Sequence, residues 1–207
     1  AGAMKRLKGP KNTQAILGIK RSGKQQLLTF NIQRGDVPVK TVGAVYMAAP
    51  KIGYVSINSF GDTTYAEFLA ALATLQGEGF QNLIIDLRGN PGGYMETAIQ
   101  IANDFLPKNS LIVYTKGRKS PRKEYRTDGR GTYQTMPIVV LVDETSASAS
   151  EIFAGAMQDN DRGMIVGRRS FGKGLVQVPI EFPDGSMLRL TTARYYTPSG
   201  RCVQKPY

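Results

Sequence analysis

The sequence predicts an α/β fold, with helices packed on a sheet of mostly buried strands. Two observations carry this. Short apolar runs recur at strand length, above all Asn82–Leu87 and Pro137–Val142. Each is followed by a turn rich in Gly or Ser/Ala and then by a segment with apolar residues at helical spacing. Repeated strand–helix units with buried strands are the pattern of a sheet covered by helices.

Taken in order, Ala1-Gly2-Ala3-Met4 looks like a cloning remnant and is set aside from the fold. Residues 14–34 predict a hairpin. Ala15–Ile19 is one strand, Arg21-Ser22-Gly23-Lys24 the turn, and Leu27–Ile32 the return. A lone hairpin is marginal in water, so it must pack on something or be the remainder of a larger module. Tyr54–Ile57 alternates as a strand. Thr64 and Glu67 have capping-box spacing, and Phe68, Leu69, Leu72 and Leu75 form one stripe of a helix that ends at Gly77 and Gly79. After the strand at 82–87, Ala98, Ile99, Ala102 and Phe105 mark a second helix. After the strand at 137–142, the run 146–150 opens a third helix carrying Ile152, Phe153, Ala156 and Met157. Met164–Val166 is a further strand. Leu175–Ile180 and Met187–Tyr196 flank the turn signal Pro183-Asp184-Gly185.

Composition narrows the chemistry. The 207 residues are 41% apolar and 21% charged, as expected of a folded protein. No apolar run approaches the roughly 18 residues of a membrane span. There is no histidine. That excludes a Ser-His-Asp triad, a Cys-His dyad and a histidine-ligated zinc. The single cysteine, Cys202, excludes an internal disulfide and a CxxC knuckle. No metal or cofactor is expected, and any acid–base work falls to Lys, Asp, Glu or Tyr. The net charge of +11 raises nucleic acid as a partner. The basic residues gather before residue 41 and in 116–130. Both read as solvated, turn-rich surfaces, and 116–130, with Gly117, Pro121, Gly129 and Gly131, reads as a mobile loop or flap. No nucleic-acid partner is expected.

Three motifs can carry chemistry. Asp86-Leu87-Arg88-Gly89-Asn90-Pro91-Gly92-Gly93 joins a strand to a helix and can present backbone N–H groups to an anion. Its plain alternative is a tight turn needing glycine only for φ > 0. Thr145-Ser146-Ala147-Ser148-Ala149-Ser150-Glu151 also joins a strand to a helix. A serine there lies near the positive helix end, which favours an alkoxide, or it simply caps the helix. Gly167–Gly174 nearly matches a phosphate-binding loop. Gly174 stands where the magnesium hydroxyl is needed, and a strand follows instead of a helix, so nucleotide binding is not expected. Serine and lysine together suggest another chemistry, a serine nucleophile served by a neutral lysine. A base lysine is best buried in apolar surroundings. Lys173, between two glycines and near Phe171, fits that requirement, and Gln177 can orient the amine. Ser146, Ser148 and Ser150 all remain open as the nucleophile.

These motifs, in this order and with the closing Tyr195-Tyr196-Thr197-Pro198-Ser199-Gly200-Arg201, resemble the C-terminal processing peptidases, or tail-specific proteases. The resemblance covers most of residues 50–205. It implies Ser148 as nucleophile, Lys173 as general base and Gln177 as the third residue. It implies an oxyanion hole from the N–H of Ala149 and that of Gly92 or Gly93. It also implies a crotonase/Clp-protease-like core over 37–207, with residues 5–36 as a partial PDZ hairpin. The implied activity is a serine endopeptidase acting near protein C-termini through a Ser-Lys acyl-enzyme. Its expected partners are protein or peptide substrates with apolar C-terminal tails, with no small-molecule cofactor and room for a homo-oligomer. The implied setting is periplasmic or otherwise extracytoplasmic. The alternative is a non-catalytic peptide-binding module built on the PDZ remnant.

Overall fold

A computed structural model describes residues 2–36 and 39–206. The chain divides into two units, Ala1–Val39 and Lys40–Tyr207. The boundary expected between 36 and 37 abuts Val37 and Pro38, and Tyr207 ends the chain; all three lie outside the described residues.

The first unit holds α1 (Gly2–Leu7) and the antiparallel hairpin β1 (Gln14–Ile19) and β2 (Leu28–Gln33). The hairpin lies where the alternation placed it. Part of the supposed cloning remnant is helical. The guanidinium of Arg34 ties α1 to the hairpin by donating to the carbonyls of Arg6, Leu7 and Gln14.

The second unit is built on a five-stranded sheet in the order β3-β4-β5-β8-β9. These strands are β3 (Val42–Ala49), β4 (Ile52–Ile57), β5 (Asn82–Asp86), β8 (Ile138–Val142) and β9 (Met164–Gly167). β3 pairs antiparallel with β4; β4, β5, β8 and β9 run parallel. The connections are α2 (Thr64–Gly77), α3 (Met95–Phe105) and α4 (Ala149–Asp159). A four-stranded antiparallel sheet, β10-β11-β6-β7, completes the unit with β6 (Leu111–Lys116), β7 (Lys123–Arg126), β10 (Leu175–Glu181) and β11 (Met187–Tyr196). α3 and α4 pack on each other, and each meets β6.

The core lies where the periodicities put it. Phe68, Leu72, Leu75, Leu83, Ile85, Ile101, Phe105, Val140 and Phe153 are fully buried or nearly so. Full burial of one such side chain contributes about 1.5–3 kcal/mol. Phe105 of α3 meets Phe68 of α2 and Phe153 of α4 edge-on, with ring centroids 6.1 and 6.3 Å apart, so one ring links three helices.

Two expectations need correction. Residues 116–130 are not all loop. β6 runs through Lys116, and β7 turns the chain back antiparallel to it. The charges are ordered by their neighbours. Glu124 accepts Arg122 at 2.7 Å and Arg126 at 2.8 Å, and the Arg122 guanidinium lies 3.8 Å from the Tyr114 ring centroid. Thr64 and Glu67 do not form a capping box. Thr63 takes the N-cap position, and Glu67 instead accepts the N–H groups of Thr41 and Val42 at the start of β3.

Candidate active site

β5, β8 and β9 are adjacent parallel strands, so the loops leaving their carboxyl ends emerge side by side. That edge of an α/β sheet is where ligands usually bind. The loop after β5 carries Arg88–Gly93, the loop after β8 carries Ser146–Ser148, and the loop after β9 carries Ser170–Lys173. Three motifs separated in sequence thereby become neighbours.

The three serines differ sharply. Ser146 is fully buried; its Oγ donates to Leu87 O at 2.8 Å and accepts the Asp143 N–H at 2.9 Å. Ser150 is fully buried and donates to Asn90 O at 3.1 Å. Ser148 is half-buried; its Oγ donates no hydrogen bond among the described residues and takes part in a capping box with Glu151. It sits at the N-cap of α4 with φ 55° and ψ −110°. A positive φ in a residue with a side chain is strained and clusters at functional sites. Two serines are therefore spent on scaffolding, while the third is raised at the positive end of a helix.

The glycine pair lies against that serine. Gly92 has φ 99°, and a Cβ there would come 2.8 Å from Ser148 Cβ and 3.0 Å from Ala149 N. Gly93 has φ 145°, and a Cβ there would fall 2.0 Å from Phe60 O. Both positions need glycine for conformation and for close approach. The Gly92 N–H is occupied, donating to Asn90 Oδ1 at 2.8 Å. The N–H groups of Gly93 and Ala149 have no partner among the described residues.

Lys173 and Gln177 occupy the start of the β10 arm. Gln177 lies at a bulge in the β10–β11 pairing. Both residues are exposed, so the burial expected of Lys173 is not present. The flanking glycines place it on an open turn, and the apolar strand beyond it does not cover it. No hydrogen bond joins Ser148 Oγ to Lys173 Nζ. Their backbones are nonetheless tied together through Glu151, which is 7% exposed. One oxygen of its carboxylate accepts the N–H groups of Ser148 at 2.9 Å and Lys173 at 2.8 Å. The other accepts Ser170 Oγ and the Gly172 N–H, both at 2.7 Å.

Asp143 joins the remaining loops. Its carboxylate accepts the N–H groups of Gly89, Thr145 and Ser146. Its pKa is about 2: burial alone would raise it, but the bonds from Thr145, Gly89 and Ser146 outweigh that. Glu151, Asp143 and Asn90 had no assigned role in the sequence reading. The Ser148–Glu151 spacing was a usable capping-box signal for the first; the other two each join local partners to a remote one, Gly89 for Asp143 and Ile57 for Asn90. No group of three or more His, Cys, Asp or Glu that could hold a metal occurs among the described residues.

Such a constellation defines an α/β chain with a serine raised on a strained strand-to-helix turn beside unpaired backbone donors. The chain belongs to peptidase family S41, which it matches over residues 51–206. It is 38% identical over 206 residues to the carboxyl-terminal-processing protease of Synechocystis sp. PCC 6803, covering 98% of this chain and 48% of the relative. It is 34% identical over 205 residues to the carboxy-terminal processing protease CtpB of Bacillus subtilis, covering 98% of this chain and 42% of the relative. The chain thus spans about half the length of these curated relatives. Among solved structures, the photosystem II D1 C-terminal processing protease matches with a TM-score of 0.73 at 31% identity, over 95% of this chain and 54% of that one. An S41 protease from Bacteroides fragilis matches with a TM-score of 0.66 at 17% identity, over 91% of this chain and 55% of that one, a likeness of fold.

Proposed function

We propose that the protein is a serine endopeptidase that cleaves proteins or peptides near their C-termini. The observation that carries this reading is Ser148, half-buried on a strained turn beside two unpaired N–H groups, with its Oγ donating to no partner among the described residues. Ser148 Oγ attacks the scissile carbonyl carbon and passes its proton to Lys173 Nζ. The C=O electron pair moves to oxygen, where the N–H groups of Ala149 and Gly93 stabilise it. Collapse breaks the C–N bond, and the leaving amine takes the proton from Lys173. Water then attacks the acyl-enzyme and gives its proton to Lys173, which returns it to Ser148 Oγ as the ester C–O bond breaks and the acid product leaves. Gln177 orients the lysine amine. Since Ser148 and Lys173 are not hydrogen-bonded here, the pair closes in the substrate complex, as catalytic contacts commonly do.

The family and the names of the relatives support this reading. We extend it to substrates with apolar C-terminal tails, to an extracytoplasmic setting and to residues 5–36 as part of a PDZ module. The test is degradation of an unfolded protein with an apolar tail, across pH 6–10, by the longest form of the protein. Ser148→Ala and Lys173→Ala are expected to abolish cleavage, by about 10³-fold or more. Ser146→Ala and Ser150→Ala should lower thermal stability and retain measurable turnover. Turnover that survives Ser148→Ala would sink Ser148 as the nucleophile, and a wild type that cleaves nothing would favour a peptide-binding module.

A further inference from the structure

The family resemblance leaves open which glycine supplies the second oxyanion donor, and it gives Asn90 no role. We infer that Asn90 is a positioning residue that engages the Gly92 N–H and so leaves the Gly93 N–H as the donor facing the reaction. The inference rests on the peptidase reading above and adds a residue to it.

Asn90 is fully buried, and its hydrogen-bonding groups are almost all used. Its Nδ2 donates to Ile57 O, the last carbonyl of β4, at 2.7 Å. Its Oδ1 accepts the Gly92 N–H at 2.8 Å. Its main-chain carbonyl accepts the Ala147 N–H at 3.0 Å and Ser150 Oγ at 3.1 Å. Its own N–H donates to Leu87 O at 3.2 Å. One side chain therefore spans from β4 to the glycine turn, and the same residue's backbone holds the chain on either side of Ser148.

The consequence falls on two adjacent amides. The Gly92 N–H is consumed and cannot serve an oxyanion. A second anchor grips the far side of the turn, where Phe60 N donates to Gly92 O at 2.9 Å and Tyr94 N donates to Phe60 O at 2.7 Å. That bridge uses the Gly92 carbonyl and the Tyr94 N–H and leaves the Gly93 N–H unused. Gly92 meanwhile stands against Ser148 Cβ and Ala149 N. The turn is thus held from both sides with one N–H free, next to the serine and its following amide. A preorganised donor of this kind needs no reorientation when charge develops, which is the origin of its value.

Without the Asn90 amide, the Gly92 N–H is released and the turn loses its tie to β4. In the longest form of the protein, Asn90→Ala is expected to lower kcat by about 10²-fold, the loss typical of one oxyanion donor, with KM changed less than about threefold. Affinity for a peptide aldehyde, whose adduct with Ser148 carries the oxyanion, should fall in proportion to kcat. Affinity for the matching uncleaved peptide should not. Asn160→Ala is the stability control; that amide bonds Leu111 O and Ala156 O away from the site and should leave kcat unchanged. Asn90→Asp supplies a second arm. Protonated, its carboxyl can donate to Ile57 O and accept from Gly92; ionised, it opposes Ile57 O. The ratio of its kcat to that of wild type should therefore rise as pH falls. A kcat for Asn90→Ala within threefold of wild type, or equal losses of aldehyde and peptide affinity, overturns the inference while leaving Ser148 in place. If Asn90→Ala does not fold, a pH-independent Asn90→Asp ratio overturns it equally. A wild type that cleaves nothing overturns the peptidase reading itself.

Discussion

At the scale of single residues, Glu151 shows how much of the site depends on one carboxylate. Four donors converge on it, from Ser148, Ser170, Gly172 and Lys173. Hydrogen bonds to a charged group contribute about 1.5–3 kcal/mol each. Glu151→Gln keeps the shape, but it turns an NH₂ toward two of those donors. The Ser148 and Lys173 loops then separate. Labelling of Ser148 by a fluorophosphonate should slow at least about tenfold, with kcat falling in parallel while the protein remains folded at assay temperature. Unchanged labelling would mean that Glu151 serves stability alone. The sequence displayed Glu151 three places after Ser148, and that spacing is legible. It did not display the loop after β9 returning to the same carboxylate.

At the scale of elements, strands and helices with a strong period were read correctly. The 14–34 hairpin, the buried strands β5 and β8, helices α2–α4 and the β10–β11 pair all stand as expected. β3, β6 and β7 were missed. β7 is Lys-Glu-Tyr-Arg, and it is a strand because Glu124 neutralises its arginine neighbours and β6 supplies its partner. β3 has a mostly exposed pattern and is held by β4 on one side and by Glu67 of α2. Glu67 has a pKa lowered to about 2, chiefly by the Val42 N–H and then by Thr63. Its contribution is therefore full above the ordinary carboxylate range near 4.3 and is lost as pH falls toward 2. Glu67→Gln should lower stability by about 1–3 kcal/mol near pH 7 and narrow the gap to wild type below pH 3. Chemical denaturation at the two pH values checks this, and a gap that does not change with pH would refute it. β10 and β11 carry Val178 opposite Leu190 and Ile180 opposite Leu188. These four side chains are 40–48% exposed, so the pattern was read correctly although little of this unit covers that face.

At the scale of the whole molecule, one buried charge works against the fold. Asp104 is 6% exposed, and its Oδ2 has no hydrogen-bond partner among the described residues. Burial pushes its pKa up, since the charged form loses its hydration, and this outweighs the nearby Tyr65 hydroxyl, which favours the charged form. The folded state therefore holds the proton more tightly than the unfolded one, and stability falls as pH rises from the unfolded value through the folded one. Asp104→Asn removes that penalty. The melting temperature near pH 7 should rise by about 2–4 °C, the shift that roughly 1 kcal/mol makes in a chain of this size. The gain should vanish in acid, and a melting temperature that falls at both pH values would contradict the assignment.

Composition and motif order alone determined the α/β class, the absence of histidine chemistry and the resemblance that singled out Ser148, Lys173 and Gln177. Those features survive in one dimension because apolar period, residue counts and motif spacing are local properties of a chain. The tertiary structure decided what depends on remote partners. It separated Ser148 from Ser146 and Ser150 by what each hydroxyl bonds, and it left the N–H of Gly93 free while occupying that of Gly92. It also left Lys173 exposed where a buried base was expected. Each of these turns on atoms brought together by the adjacent strands β5, β8 and β9, and adjacency in a sheet is a long-range choice that no short window of sequence contains.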